Sequence, residues 1–292
     1  MEYSKLLNDY APAMTEEQVA ATVEQMRELS VKNRTKEVYK LCYSTIDLTT
    51  LTETDSVRSV GEFVAKAVEF HKHYPSIPNV ASICVYPLFV DVVGLGVDNT
   101  DIGVTSVAAG FPASQTYIEV KMLEVSMAVE SGADEIDVVI NVGQMLEGDY
   151  DAVAAEIEML RQEAGDDVTF KVIIESGALK TPELIRRASL LAMFAGTDFV
   201  KTSTGKIPVA ATPEAAVVMC TAIKDYYQKT GRKVGFKAAG GIRTAEEAAL
   251  FYTIVHEILG AEWCSPQLWR IGASSLANNL ISAIEEKPVK YY

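Results

Sequence analysis

The sequence predicts an α/β fold, a (β/α)8 TIM barrel with an N-terminal helical extension. Three observations predict it. From Leu41 onward, short apolar runs alternate with longer amphipathic stretches, the pattern of parallel βαβ units. Eight such runs, mostly about 30 residues apart, occupy about 245 residues, the size of an eight-stranded barrel. No linker, low-complexity segment or block of charge divides them. A doubly wound open sheet is the main competitor, but it usually carries G-x-G-x-x-G after its first strand. The nearest approach, "GLGVDN", lacks the third glycine and does not follow the first run.

Taken in order, residues 1–40 read as a helical extension. "MTEEQVAATVEQMRELSVKN" has apolar residues at helical spacing, and Thr15 before acidic residues predicts an N-cap. Residues 41–285 form the predicted barrel. Its strand-like runs are "LCYSTID" (41–47), "VASICVY" (80–86), "IGVTSVA" (102–108), "EIDVVIN" (135–141), "TFKVIIE" (169–175), "DFVKTS" (198–203), "VGFKAA" (234–239) and "LWRIGAS" (268–274). Helical stretches such as "TYIEVKMLEVSMAVESGA", "TPEAAVVMCTAIKDYYQKTG" and "TAEEAALFYTIVHEILGA" lie between them. Residues 286–292 form a tail. Disorder is the usual state of a chain end. A tail folded over the barrel mouth would instead bring a terminal phenol near the catalytic residues.

Composition narrows the function. The 292 residues are 49% hydrophobic and 23% charged, with a formal net charge of -14. Such a surface argues against general binding to nucleic acid or an anionic membrane. No apolar run is long enough to span a bilayer, and the acidic, helical N-terminus does not resemble a signal peptide. Cys42, Cys84, Cys220 and Cys264 are far apart and include no C-x-x-C, which predicts reduced thiols in a cytoplasmic protein. His71, His73 and His256 are the only histidines. His71 and His73 close a helical run beside a loop and read as a solvated helix end, so neither a metal nor a cofactor is expected.

Barrel catalysis sits at the C-terminal ends of the strands. Charged residues stand within or at the ends of otherwise apolar runs: Asp47, Asp137, Lys171, Glu175, Lys201 and Lys237. Ion pairs that merely tie strands together are the simpler reading of any one of them. As a set they are better explained as an assembled site, because buried charge pairs stabilise poorly relative to apolar packing. Lys201, in "DFVKTSTGK", is not part of an ATP loop, since Val200 stands where that motif requires glycine. A lysine attacks carbonyls only when neutral, so its pKa of about 10.4 must fall by several units. Desolvation and a second cation both lower it. Lys201 and Lys237 end adjacent strands, which predicts one neutral and one charged lysine, with Asp137 placed to shuttle protons. This reads as Schiff-base chemistry at an aldehyde or ketone.

The loops after the seventh and eighth strands, "AAGGIRTAEEA" (238–248) and "IGASSLANN" (271–279), each open into a helix. Gly240, Gly241 and Gly272 allow close backbone approach, and helix N-termini favour anions. These two loops are the recurring phosphate site of such barrels. Gly205 and Lys206 could reach the same place, and Arg243 is either a charged fork or an exposed helix start.

The stretches "STIDLTTL", "ASICVYP", "ADEIDVVINVG", "FKVIIESG", "VKTSTGK" and "VGFKAAGGIRT" resemble, in order, the deoxyribose-phosphate aldolase family over about residues 41–282. The resemblance implies a metal-free class I aldolase. Such an enzyme reversibly cleaves 2-deoxy-D-ribose 5-phosphate into acetaldehyde and D-glyceraldehyde 3-phosphate in deoxyribonucleotide catabolism. By motif match it implies Lys201 as the Schiff-base lysine, Lys237 as the second lysine that perturbs it, and Asp137 as the proton relay. Asp47 and Lys171 match supporting polar positions, and Cys84 and Thr204 match pocket-lining ones. Gly205, Lys206, Gly240, Gly241, Gly272, Ser274 and Ser275 match the phosphate-binding groups. Small sugar phosphates and aldehydes would be the partners, and a homodimer the assembly. Glu175 stays open between a catalytic role and pairing with a lysine. The rivals are another Schiff-base barrel aldolase, transaldolase-like or acting on keto acids, and an inactive barrel that only binds sugar phosphates. The second rival would be marked by loss of a lysine, and both lysines are present.

Overall fold

The computed structural model describes residues 3–10 and 12–292, in which eight parallel strands close into one barrel. The strands are β1 (Ile46–Thr49), β2 (Ser82–Val85), β3 (Gly103–Ala108), β4 (Glu135–Val139), β5 (Thr169–Ile173), β6 (Phe199–Lys201), β7 (Gly235–Ala239) and β8 (Trp269–Ala273). Each pairs with its sequence neighbours, and β8 closes on β1 with Asp47 opposite Gly272.

The helices are α1 (Tyr3–Asn8), α2 (Glu16–Ser30), α3 (Lys36–Ser44), α4 (Val57–His73), α5 (Val90–Val97), α6 (Ile118–Glu130) and α7 (Val142–Glu147). They continue as α8 (Tyr150–Ala164), α9 (Ser176–Leu179), α10 (Pro182–Phe194), α11 (Pro213–Thr230), α12 (Ala245–Leu259) and α13 (Ser275–Glu285). Thr15, Thr35, Ser56, Thr181, Thr212 and Thr244 each cap a helix by accepting a backbone N–H. Such a cap contributes about 1 kcal/mol.

Strand side chains alternate between two environments. Ile46, Leu48, Ile83, Val138, Val172, Val200 and Phe236 join the apolar core beneath the helices. Full burial of each such side chain contributes about 1.5–3 kcal/mol. The opposite parity, including Asp47, Asp137, Lys171, Lys201 and Lys237, meets inside the barrel.

The first predicted run is corrected. Leu41–Ser44 belongs to α3, and the strand is Ile46–Thr49. Thr35 caps α3, its buried Tyr39, Cys42 and Tyr43 form an amphipathic face, and Thr45 N–H donates back to Leu41 and Cys42. The apolar residues of "LCYST" therefore serve a helix face rather than a strand.

The N-terminal helices lie outside the barrel. α1 packs on α8 and α10, and α2 packs on α11 and α12, burying Val19, Val23 and Met26. The tail is ordered against α4 and α13. Asn278 Oδ1 accepts the N–H groups of Tyr291 and Tyr292 at 2.8 and 3.0 Å. The Tyr292 ring packs on Phe63 and Phe70, and its hydroxyl lies 2.8 Å from that of Tyr43. That phenol is thus engaged by Tyr43 and not by Lys201, Lys237 or Asp137.

Candidate active site

The barrel interior is a ladder of charge. Arg270, from β8, forms its base. It donates to Asp47 Oδ1 at 2.6 Å and to both Glu135 oxygens at 2.7 and 3.0 Å. Above it, Lys171 pairs with Glu135 and donates to Asp137 Oδ1 at 2.9 Å. Lys237 pairs with Asp47 and donates to Asp137 Oδ2 at 2.6 Å. Lys201 donates to that same oxygen at 2.7 Å. The strand register explains the convergence: Lys201 stands opposite Lys237, and Asp137 opposite Lys171. Gly272 leaves the space Lys237 needs. A methyl group there would lie 2.9 Å from the Ala239 Cβ and 3.4 Å from Lys237 Cε.

Four basic side chains thus face three carboxylates in a sealed volume. The surroundings of Lys201 disfavour its charge. Burial pushes its amine down, Asp137 pulls it up, and the Lys237 charge pushes it down again, with a net lowering. Burial also disfavours the charge on Lys237, but Asp137 and Asp47 outweigh it and hold that ammonium well above the ordinary lysine range. Asp137 is likewise disfavoured by burial, yet Lys171, Lys201 and Lys237 hold its carboxyl well below the usual range. Lys237, Arg270 and Lys171 do the same for Asp47 against its burial. The result is an amine that loses its proton easily, beside a fixed carboxylate and a fixed ammonium.

Lys201 lies at the floor of a cavity of about 490 Å³ at the strands' C-terminal end. Its walls include Thr49, Leu51, Thr204, Gly205, Lys206, Gly240, Gly241, Arg243, Gly272, Ser274 and Ser275. The loops after β6 and β7 touch backbone to backbone. A Cβ on Gly240, whose φ is +80°, would lie 3.1 Å from the Gly205 Cα. The two helix ends at the mouth differ. Glu247 and Thr244 already cap α12 through the N–H groups of Arg243, Thr244 and Glu247. Ser274 makes no side-chain capping bond at α13, so that end has amides to offer an anion. Cys84 is buried with Leu51 and Val107 in a small apolar cluster, and burial pushes its thiol up.

A buried amine, a carboxylate and an ammonium beneath an open polar cavity suit covalent carbonyl chemistry. The description "DeoC/LacD family aldolase" belongs to a family model that matches residues 43–280. The chain belongs to the DeoC/LacD aldolase family.

Curated relatives agree. The chain is 43% identical to the deoxyribose-phosphate aldolase of Homo sapiens over 246 residues, covering 80% of this chain and 77% of that one. It is 44% identical to the Bos taurus deoxyribose-phosphate aldolase over 242 residues, covering 79% and 76%. Among solved structures, the aldolase QR15 aligns with a TM-score of 0.68 and 28% identity over 84% of this chain and 96% of that one. A deoxyribose phosphate aldolase from Aeropyrum pernix, described as tetrameric, shares the fold. Its TM-score is 0.67 and its identity 24%, over 88% of this chain and 96% of that one.

Within this family member the sequence-predicted residues separate into two tiers. Asp47, Asp137, Lys171 and Lys237 are sealed in the ladder, while Lys201 reaches the cavity. Thr204, Gly205, Lys206, Gly240, Gly241, Gly272, Ser274 and Ser275 line the mouth. Sequence reasoning missed Arg270 and Glu135. Both carry the same mark as Asp137 and Lys171, a charge within an apolar run: Glu135 opens β4 and Arg270 is the second residue of β8. Among the described residues, Glu175 forms no ion pair with Lys171, Lys201 or Lys237. Its carboxylate accepts from Thr204 instead.

Proposed function

We propose that this aldolase reversibly cleaves 2-deoxy-D-ribose 5-phosphate into acetaldehyde and D-glyceraldehyde 3-phosphate. The observation that carries the reading is the single Asp137 oxygen shared by Lys201 and Lys237. Neutral Lys201 attacks the substrate aldehyde, and loss of water gives an iminium. The iminium accepts the electron pair released when the bond between carbons 2 and 3 breaks, while the carbon-3 hydroxyl gives up its proton. D-glyceraldehyde 3-phosphate departs and an enamine remains on Lys201. Protonation of the enamine and hydrolysis then release acetaldehyde. A water activated by Asp137 moves these protons on and off the intermediate, and Lys237 stays charged throughout. Asp47 and Lys171 hold Asp137 and Lys237 in register. Cys84, Val107 and Leu51 border the two-carbon donor.

The phosphate sits at the mouth against Gly205, Lys206, Gly240, Gly241, Gly272, Ser274 and Ser275, supported by the uncapped start of α13. Incubation with 2-deoxy-D-ribose 5-phosphate should release equal amounts of acetaldehyde and D-glyceraldehyde 3-phosphate. Absence of either product would overturn the assignment.

We place the enzyme in the cytoplasm, a reading supported by four free thiols. Among the described residues, no helix is long and apolar enough to cross a membrane. We also read the assembly as a homodimer, formed through α5 and α6. Leu88, Leu95, Tyr117, Val120, Leu123 and Met127 are each more than half exposed. Large apolar side chains exposed on neighbouring elements are the material of a subunit contact. Gly94 adds to this. A helix-interior glycine costs about 0.5–1 kcal/mol relative to alanine, and among the described residues nothing lies within 4 Å of where its Cβ would be. Close approach of a second copy would use that space.

A further inference from the structure

We infer that Glu175 is the positioning residue of the phosphate cradle, acting on it through Thr204. The inference rests on the phosphate reading above. Glu175 follows β5 at the start of α9 with φ 51° and ψ 58°. A non-glycine residue holds this left-handed region only where its surroundings constrain it. The flanking backbone holds it there. Ile174 N–H donates to the Lys201 carbonyl at 3.0 Å, and Ser176 N–H donates to that of Thr202 at 2.8 Å.

The carboxylate is 4% exposed, and both of its oxygens serve one residue. Thr204 N–H donates to Oε1 at 3.2 Å, and the Thr204 hydroxyl donates to Oε2 at 2.5 Å. The carboxylates paired with the lysines of the ladder are Asp47, Glu135 and Asp137. Glu175 is therefore not a partner of the ladder lysines, the reacting amine included. A buried carboxylate is costly unless fully bonded, and here its bonds fix the turn that follows Lys201.

That turn forms one wall of the cavity. The Thr204 hydroxyl oxygen accepts the Lys206 N–H at 3.1 Å, bridging Gly205. Gly205 abuts Gly240 on the neighbouring loop, and the Lys206 ammonium donates to the Leu51 carbonyl. One carboxylate thus sets Thr204, Thr204 sets Lys206, and Lys206 ties the loop after β6 to the loop after β1. Glu175 holds these groups where a phosphate would meet them.

The test compares kcat/KM for aldol addition of acetaldehyde to D-glyceraldehyde 3-phosphate and to unphosphorylated D-glyceraldehyde. Glu175→Gln keeps the shape but cannot accept both Thr204 donors, and Thr204→Val removes one donor. Each should lower the preference for the phosphorylated acceptor about tenfold, a loss carried by KM. The double variant should lose no more than the worse single, because both act on one path. Thr204→Ser, which keeps both donors, should restore the preference. Equal losses on the two acceptors, additive losses, or a retained preference would overturn the inference. A wild-type enzyme indifferent to the phosphate would remove the cradle itself, and the inference with it. A wild-type preference that the variants keep would remove only the role of Glu175.

Discussion

Lys201 is a buried lysine whose environment makes its charge the least affordable in a crowded ladder. Burial and Lys237 push its pKa down, while Asp137 opposes them. Substituting Lys237→Leu removes a cation and leaves Asp137 Oδ2 to Lys201 alone. Both changes raise the Lys201 pKa. The amine must be neutral to react, so the rate falls as pH drops through that pKa. The acidic limb of kcat/KM should therefore move to higher pH in this variant, and activity near pH 7 should fall by about 10²–10⁴. An active variant with an unmoved limb would separate the two lysines. The reacting trio was legible because each member is a charge that interrupts an apolar run. Arg270 and Glu135 carry the same mark, but their place in the ladder depends on contacts between strands that one strand's sequence does not show. Only closure of β8 on β1 brings Arg270 to Asp47.

At the scale of elements, the helix caps and most strand positions follow from local sequence. The α3–β1 boundary does not, because short apolar stretches suit a helix face and a strand equally well. The mouth was partly legible. Glycines after the seventh and eighth strands marked the right loops, but whether a helix start is free depends on side-chain bonds that spacing does not reveal. Thr244 and Glu247 close one start, and Ser274 leaves the other open. The outer faces of α5 and α6 lacked any sequence signal, since a helix apolar on all sides also reads as core. Leu123→Glu should convert a dimer to a monomer in analytical ultracentrifugation. In the wild type, raising salt should tighten association, because like-charged copies are screened while apolar contact persists. Association that weakens with salt, or a Leu123→Glu dimer, would move the interface elsewhere.

For the molecule as a whole, the strand–helix rhythm was enough to predict the barrel. One βαβ repeat leaves few ways to bury both strand faces, and eight of them close the sheet. The tail was the least legible part. "KPVKYY" has no periodicity, and its place depends on Phe63, Phe70, Tyr43 and Asn278, all remote in sequence. The barrel brings four bases and three carboxylates to one axis, and burial there, with Lys237 beside it, lowers the pKa of Lys201. Borohydride reduction in the presence of acetaldehyde, followed by peptide mass spectrometry, tests this most directly. A reduced two-carbon adduct on Lys201 is the expected result. No adduct, or an adduct confined to exposed lysines, would contradict the Schiff-base role of Lys201.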